Sequence, residues 1–143
     1  MIWDEIVHLR EKEIPEAQFN LEKEMANATR CTANLSGMPG GHQPGSVVER
    51  SYAKIEQRKE ELMRLVYRLD ELKGIVTPLI ATLEAEKEKR AMILRFLEGK
   101  SMVEIRYDLD ISTNYAYGLI RSARMRLDPM LEDAMNKDVP TVS

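Results

Sequence analysis

The sequence has little of the chemistry on which metalloproteins and secreted domains depend. Its 143 residues include one cysteine, Cys31, and two histidines, His8 and His42. A single cysteine cannot form an internal disulfide, which favours a reducing, cytoplasmic setting. A structural zinc needs four ligands at a recognisable spacing, and these three residues cannot supply them. We therefore expect no metal and no cofactor.

Long apolar runs are also absent. No stretch approaches the ~20 apolar residues that a membrane-spanning helix requires. The opening residues, MIWDEIVHLREKE, lack the basic start and apolar centre of a secretory signal. Apolar residues make up 43% and charged residues 31% of the chain, a balance that excludes a disordered tail. The composition predicts a protein of the cytoplasm with no membrane partner.

Alternating strand patterns are missing, whereas apolar residues recur at helical spacing along the chain. The sequence therefore predicts an all-α protein. A first helix over about residues 3–12 is expected to break at Ile14–Pro15, because proline disfavours helix for the residue before it. A second helix follows, and the stretch SGMPGGHQPG at 36–45 is expected to be a connecting loop.

Two heptad seams indicate a coiled-coil arm, folded as a helical hairpin, over residues 1–86. The second helix carries Leu21, Met25, Ala28, Thr32 and Leu35. A long helix over about 47–84 carries Ile55, Leu62, Leu65, Leu69, Leu72, Val76, Leu79 and Leu83, with a kink or short break at Pro78. The long seam exceeds what the second helix can cover. We therefore expect a homo-oligomer, most simply a homodimer through the 47–84 seam.

Catalytic groups are scarce. Carboxylate pairs such as Glu60–Glu61 stand in charge-mixed helical sequence, which favours a solvated face. A nucleophile and its base need a pocket, and a thin helical arm offers little concavity. The loop at 36–45 lacks the Gly-Lys-Ser/Thr of a phosphate-binding P-loop. We expect that the protein is not an enzyme.

Basic charge is concentrated near the C-terminal end of the sequence. The net charge of the chain is −3, but residues 87–127 hold nine Lys or Arg against five Asp or Glu, a local +4. The remainder therefore carries −7. A basic segment in an acidic chain is the electrostatic pattern of a nucleic-acid-binding module.

The same segment, 87–127, is predicted to fold as three helices. Gly99 ends the first, and Ser101 with Glu104 forms a capping box for the second. Asp110 to Ser112 is the turn. Two sets of residues are expected to be buried, Val103, Ile105 and Leu109 in the second helix and Ala116, Ile120, Ala123 and Leu127 in the third. Residues 128–143 are expected to be an acidic, partly flexible tail.

This arrangement is typical of a helix-turn-helix, in which the second helix braces the third against the major groove of double-stranded DNA. Asn can pair with adenine, and Arg with guanine or phosphate. The predicted base-facing residues are Thr113, Asn114, Tyr115, Tyr117 and Arg121. The predicted phosphate contacts are Ser122, Arg124, Arg126, Lys100 and Arg106.

The stretch FLEGKSMVEIRYDLDISTNYAYGLIRSARMRL resembles the helix-turn-helix of region four of bacterial sigma factors. The matching features are the LEGKS entry, the Glu-Ile pair of the second helix, the Leu-x-Ile-Ser turn and the closing Ala-Arg-x-x-Leu. Over most of residues 28–127 the chain resembles small phage-encoded proteins that join such a domain to a coiled-coil arm. It departs from the pattern at Asp110, where glycine is usual, and at Tyr115, Ala116 and Tyr117.

The resemblance implies a phage or prophage transcription regulator that reads promoter DNA in the bacterial host cytoplasm. Two alternatives stay open. Small terminase subunits, which package DNA as rings, also join such a domain to a helical oligomerisation segment. Region-four-like domains can also dock on RNA polymerase, so a polymerase-binding adaptor is the second alternative.

Overall fold

The structure is a computed structural model that describes residues 1–35 and 44–138. Within these ranges the chain is all-helical and contains no strand, as the sequence predicts. None of the helices in them is long and apolar enough to cross a bilayer. Most of the predicted loop at 36–45 and the end of the predicted tail, 139–143, lie outside the described residues.

Helix α1 (Ile2–His8) leads through a π-helical segment (Leu9–Glu13) directly into α2 (Ile14–Leu35). The predicted break at Ile14–Pro15 is therefore wrong. The N–H of Ile14 bonds to the carbonyl of Leu9, five residues back, so the turn widens just before Pro15. Because proline has no N–H to place in the ladder, a widened turn lets the helix continue past it.

On α2, the prediction that Met25 is a buried seam residue is wrong, because its side chain is 49% exposed. Ala17 is buried instead, and Leu21 and Ala28 are half-buried. The spacing 17, 21, 24, 28 places a different stripe inward, because a one-residue shift rotates a side chain by ~100° around a helix. Of the seam residues Thr32 and Leu35, the side chains lie outside the described part.

Helix α3 (Pro44–Ala81) runs through Pro78 without interruption, which excludes a break there. Thr77 Oγ1 donates a hydrogen bond of 2.6 Å to the carbonyl of Lys73. Much of the predicted seam is buried within the single chain: Ile55, Leu72, Val76, Leu79 and Leu83. Leu62, Leu65 and Leu69 are half-buried. The seam is thus not a long exposed stripe.

The chain divides into two compact units, Met1–Val7 with Asp70–Ser143, and His8–Leu69. The first unit contains α4 (Glu86–Met92), a second π-helical segment (Ile93–Leu97), α5 (Met102–Leu109) and α6 (Thr113–Asp138). Helix α6 contacts both α4 and α5.

Helix α6 continues through Pro129 to Asp138, well past Leu127. Leu131 is buried there, and Thr82 Oγ1 donates a weak hydrogen bond of 3.8 Å to Met130 Sδ. A proline removes one ladder bond, and burial on the following turn offsets that loss.

The core of the first unit includes a residue from the far end of the sequence. Trp3 is fully buried, and its ring centroid lies 4.9 Å from that of Phe96. Its indole Nε1 donates a hydrogen bond of 2.9 Å to Asp128 Oδ1. Ile2 and Ile6 are also buried. Helix α1 is therefore part of the unit that contains the candidate site.

Candidate nucleic-acid interface

The entry to α5 has the predicted caps. Gly99 has a φ of 76°, which glycine adopts without strain and which ends the preceding helical segment. Ser101 and Glu104 form a reciprocal capping box: the Glu104 N–H donates to Ser101 Oγ at 3.2 Å and the Ser101 N–H to Glu104 Oε2 at 3.0 Å. Both predictions are confirmed.

The buried face of α5 differs from the predicted one. Ile105 is fully buried, but Val103 is 61% exposed. Met102 and Leu109 are half-buried and share the face of Ile105, because residues three and four apart lie above one another on a helix. Val103 lies two residues, ~200°, from Ile105 and so points outward. The prediction for Val103 is wrong.

The turn between α5 and α6 has a backbone geometry that fixes the direction in which α6 starts. Asp110 adopts φ 52° and ψ 55°, in the left-handed region. The Asp110 N–H bonds to Tyr107 O at 3.3 Å and the Ile111 N–H to Arg106 O at 3.1 Å, the pair of bonds of a Schellman motif. Ser112 Oγ then accepts the Tyr115 N–H at 3.1 Å and caps α6. The predicted turn and cap are confirmed.

Helix α6 buries one face and leaves the other exposed. Ala116, Ile120, Ala123 and Leu127 are buried at the predicted 4-3-4 spacing. The predicted base-facing residues, Thr113, Asn114, Tyr115, Tyr117 and Arg121, are all exposed. A Cβ built on Gly118 would meet nothing within 4 Å. Residues 113–127 include three arginines and no acidic residue, so the exposed face of this segment carries no negative side chain.

Two of the residues predicted to contact phosphate lie against a carboxylate on α4. Ser122 Oγ donates a hydrogen bond of 2.9 Å to Glu88 Oε1, and Arg126 Nη1 lies 3.5 Å from Glu88 Oε2. Glu88 is only 6% exposed. Its Oε2 has the ion-pair distance to Arg126 but accepts no hydrogen bond. The cluster ties α6 to α4, and sequence reasoning missed it because Glu88 and Ser122 are 34 residues apart.

Arg124 is also engaged by an acid. Its Nη1 and Nη2 lie 3.3 and 3.4 Å from the two carboxylate oxygens of Asp4 on α1. Arg121, one turn earlier, is exposed and forms no ion pair with any residue that the structure describes. Arg121 lines a shallow groove together with Tyr117, Ile120, Arg124, Met125 and Asp128. It is therefore the arginine of α6 most available to a ligand.

Cations beside the start of α6 extend the basic surface. Lys87 Nζ lies 5.7 Å from the centroid of the Tyr115 ring, within cation–π range. Arg106 is exposed and its guanidinium lies 5.5 Å from the Tyr107 ring, while Lys100 is half-buried. Lys87 was not among the predicted contacts, although it belongs to the basic segment.

No protein-family model, curated protein or solved structure matches this chain, so its resemblance to phage regulators stays a prediction.

Proposed function

We propose that the protein is a phage or prophage transcription regulator that binds double-stranded DNA through α6. The single observation that carries the proposal is the exposed, acid-free face at the start of α6. This face follows a capped turn and is backed by a buried Ala116–Ile120–Ala123–Leu127 stripe. A rigid helix that presents polar and cationic groups on one side fits the major groove, which is about 12 Å wide.

The start of α6 supplies the groups for reading bases. Asn114 can form a bidentate pair with adenine, and Arg121 with guanine. The uncapped N–H groups of a helix N-terminus also attract a phosphate, because they carry a partial positive charge. Thr113, Tyr115 and Tyr117 surround these two residues and would contact the adjoining base edges or sugars.

The remaining residues have different tasks in this proposal. Lys87, Lys100 and Arg106 flank the helix and bind phosphates, which sets position but not sequence. Arg124 reaches a phosphate by exchanging its Asp4 partner. Ser122 and Arg126 hold α6 against α4 through Glu88, so we assign them to positioning the helix.

The test starts with selection of a preferred duplex from a random DNA pool by the wild-type protein. Fluorescence anisotropy then compares that duplex with a scrambled one. Losing one good bidentate base contact costs ~1–3 kcal/mol, so we expect Arg121→Ala to weaken binding to the preferred duplex about 5- to 150-fold and relax its sequence preference. Arg124→Ala should weaken binding to both duplexes alike.

The matched control is Arg64→Ala, which removes the same charge from an exposed position on α3. This variant should bind both duplexes as the wild type does. If the wild type shows no salt-dependent DNA binding, or if Arg64→Ala loses as much affinity as Arg121→Ala, the proposal is wrong.

A further inference from the structure

Helix α3 exposes large apolar side chains on one flank. Tyr52 is 64% exposed, Met63 51%, Val66 38% and Tyr67 64%. The opposite flank is polar and consists of Gln57, Glu60, Arg64, Arg68 and Glu71. The flank that bears Tyr52, Met63 and Val66 also bears four charged side chains, Glu56, Lys59, Asp70 and Lys73. Met63 and Val66 are neighbours on this face, and an exposed apolar pair rimmed by polar residues is a mark of an interaction site.

This flank of α3 has the spacing of a second heptad stripe. Its positions alternate by four and three residues, as in a coiled-coil contact. We call them the α3 flank stripe: Tyr52, Glu56, Lys59, Met63, Val66, Asp70 and Lys73. Six of the seven are exposed and Lys73 is half-buried. The apolar pair Met63 and Val66 stands at the middle, with two charged residues on either side.

The charges of the α3 flank stripe are complementary to themselves in the reverse direction. Reading outward from the midpoint between residues 64 and 65, Met63 faces Val66, Lys59 faces Asp70, and Glu56 faces Lys73. Each charged position therefore meets the opposite charge when a second copy of the helix is laid antiparallel. A surface that matches itself after a half-turn is what an isologous, two-fold interface requires.

We propose that the α3 flank stripe binds the same stripe of a second copy of this chain, antiparallel, around a two-fold axis between residues 64 and 65. Met63 and Val66 form the apolar centre. Lys59–Asp70 and Glu56–Lys73 pairs on both sides set the register. Polar pairs at such positions specify orientation and register at some cost in stability.

A parallel pairing is disfavoured by the same residues. In register, it would place Lys59 against Lys59 and Asp70 against Asp70, and like charges across an interface are repulsive. Within the chain, Lys59 Nζ lies 3.6 Å from Glu56 Oε1, and this ion pair competes only weakly with the antiparallel contact. Both side chains of that pair are at least half exposed, and such surface pairs contribute little.

The proposed interface differs from the buried seam on which the sequence-based dimer prediction rests. It also does not depend on the proposed DNA binding, so the two can fail separately.

Charge reversal provides the first test, with the mass of the full chain measured by sedimentation velocity over a concentration series. We expect a wild-type dimer, and a dimer Kd at least about tenfold higher for Lys59→Glu, since each dimer has two such contacts. Adding Asp70→Lys to Lys59→Glu should restore the dimer. Arg64→Glu, on the polar flank, should leave the Kd unchanged. A monomeric wild type, an unaffected Lys59→Glu or a failed rescue would overturn the proposal.

Disulfide trapping provides the second test, in a Cys31→Ser background. Residues 59 of the two chains would lie 11 residues apart along the helix axis, about 16 Å, whereas a disulfide needs Cα atoms within about 7 Å. A mixture of Lys59→Cys and Asp70→Cys chains should therefore form the mixed disulfide dimer. Lys59→Cys alone should stay unlinked. Efficient linking of Lys59→Cys to itself would overturn the antiparallel arrangement.

Discussion

At the scale of the residue, Asp110 shows how one side chain accommodates the turn before α6. It occupies the left-handed region, with φ 52°, at a position where glycine is the usual residue. Asp and Asn visit this region more readily than other residues, because a short polar side chain can bond locally. The turn is therefore intact, although the helix-turn-helix pattern that the sequence resembles usually has glycine at this position.

Alanine should have opposite effects on two nearby aspartates. Asp110→Ala should lower the free energy of unfolding by about 1 kcal/mol, because alanine pays the left-handed penalty without a side chain that relieves it. Asp108→Ala, an exposed position in the last turn of α5, should raise it by up to ~0.7 kcal/mol through helix propensity. Urea unfolding followed by circular dichroism measures both. Equal effects would contradict the assigned backbone geometry.

Alanine variants of two arginines of α6, Arg126 and Arg121, should differ in stability. Arg126→Ala should lower the free energy of unfolding, because it leaves the buried Glu88 carboxylate without its counter-charge. Arg121→Ala should change it by less than about 0.5 kcal/mol, since Arg121 is exposed and forms no described ion pair. Adding Glu88→Gln to Arg126→Ala should recover part of the loss. Urea unfolding tests this, and an additive double variant would show that the pair does not couple.

At the scale of the element, α1 is a structural part of the unit that contains α6. Trp3 contributes both an aromatic contact to Phe96 and a hydrogen bond to Asp128, and Asp4 pairs with Arg124. The short helix therefore contacts the middle of α6 at two points, Arg124 and Asp128. These contacts anchor α6 and are independent of the hydrogen bonds of the turn before it.

Removing Trp3 should destabilise this unit strongly. Trp3→Ala should lower the free energy of unfolding by about 3–5 kcal/mol, the cost of emptying a fully buried aromatic site. Phe19→Ala, an aromatic that is 65% exposed on α2, is the matched control and should change it by less than about 0.5 kcal/mol. Thermal unfolding by circular dichroism compares the two. A Trp3→Ala protein as stable as the control would contradict the packing of α1.

Local signals in the sequence were sufficient for the elements around the turn. The capping box at Ser101, the stop at Gly99 and the cap at Ser112 depend on neighbouring residues. The buried stripe of α6 depends only on the helical spacing of its apolar residues. Contacts between distant segments left no such signal. The sequence pattern around Trp3 predicts only an amphipathic helix. Nothing near Trp3 in the sequence predicts its contacts with Phe96 and Asp128.

Prolines were the other reason why predicted helix boundaries were wrong. Pro15 was expected to break the first helix and Pro78 to kink or break the long one, but the first helix continues into α2 and α3 runs through Pro78. A proline costs one backbone bond and some steric strain. Near Pro15 the widened π-helical segment accommodates that change, and after Pro129 the burial of Leu131 offsets it. Neither compensation can be read from the proline itself.

At the scale of the whole molecule, the two proposals together predict how the protein engages paired DNA sites. In the proposed antiparallel dimer, each copy would contribute one α6 to the DNA complex. Two DNA-binding units joined in this way should bind a duplex with two sites more tightly than a duplex with one, through effective concentration.

We expect the wild type to bind the best two-site duplex at least about 100-fold more tightly than a single site. Lys59→Glu should lose most of this advantage while keeping its affinity for the single site. Anisotropy on duplexes whose site separation is varied base pair by base pair measures both quantities. An advantage that survives Lys59→Glu would show that another contact joins the two units on DNA.

The hydrogen bond between Trp3 and Asp128 also bears on when the molecule can fold. It joins residues 125 positions apart in sequence, whereas the turn before α6 is built from bonds between near neighbours. Contacts of long sequence separation form slowly, because the chain must close a large loop before they contribute. On the ribosome, residues 1–7 are made long before Asp128. Until α6 has been synthesised, the indole N–H of Trp3 lacks its acceptor, Asp128. This unit must therefore complete its folding late, after the intervening chain has emerged.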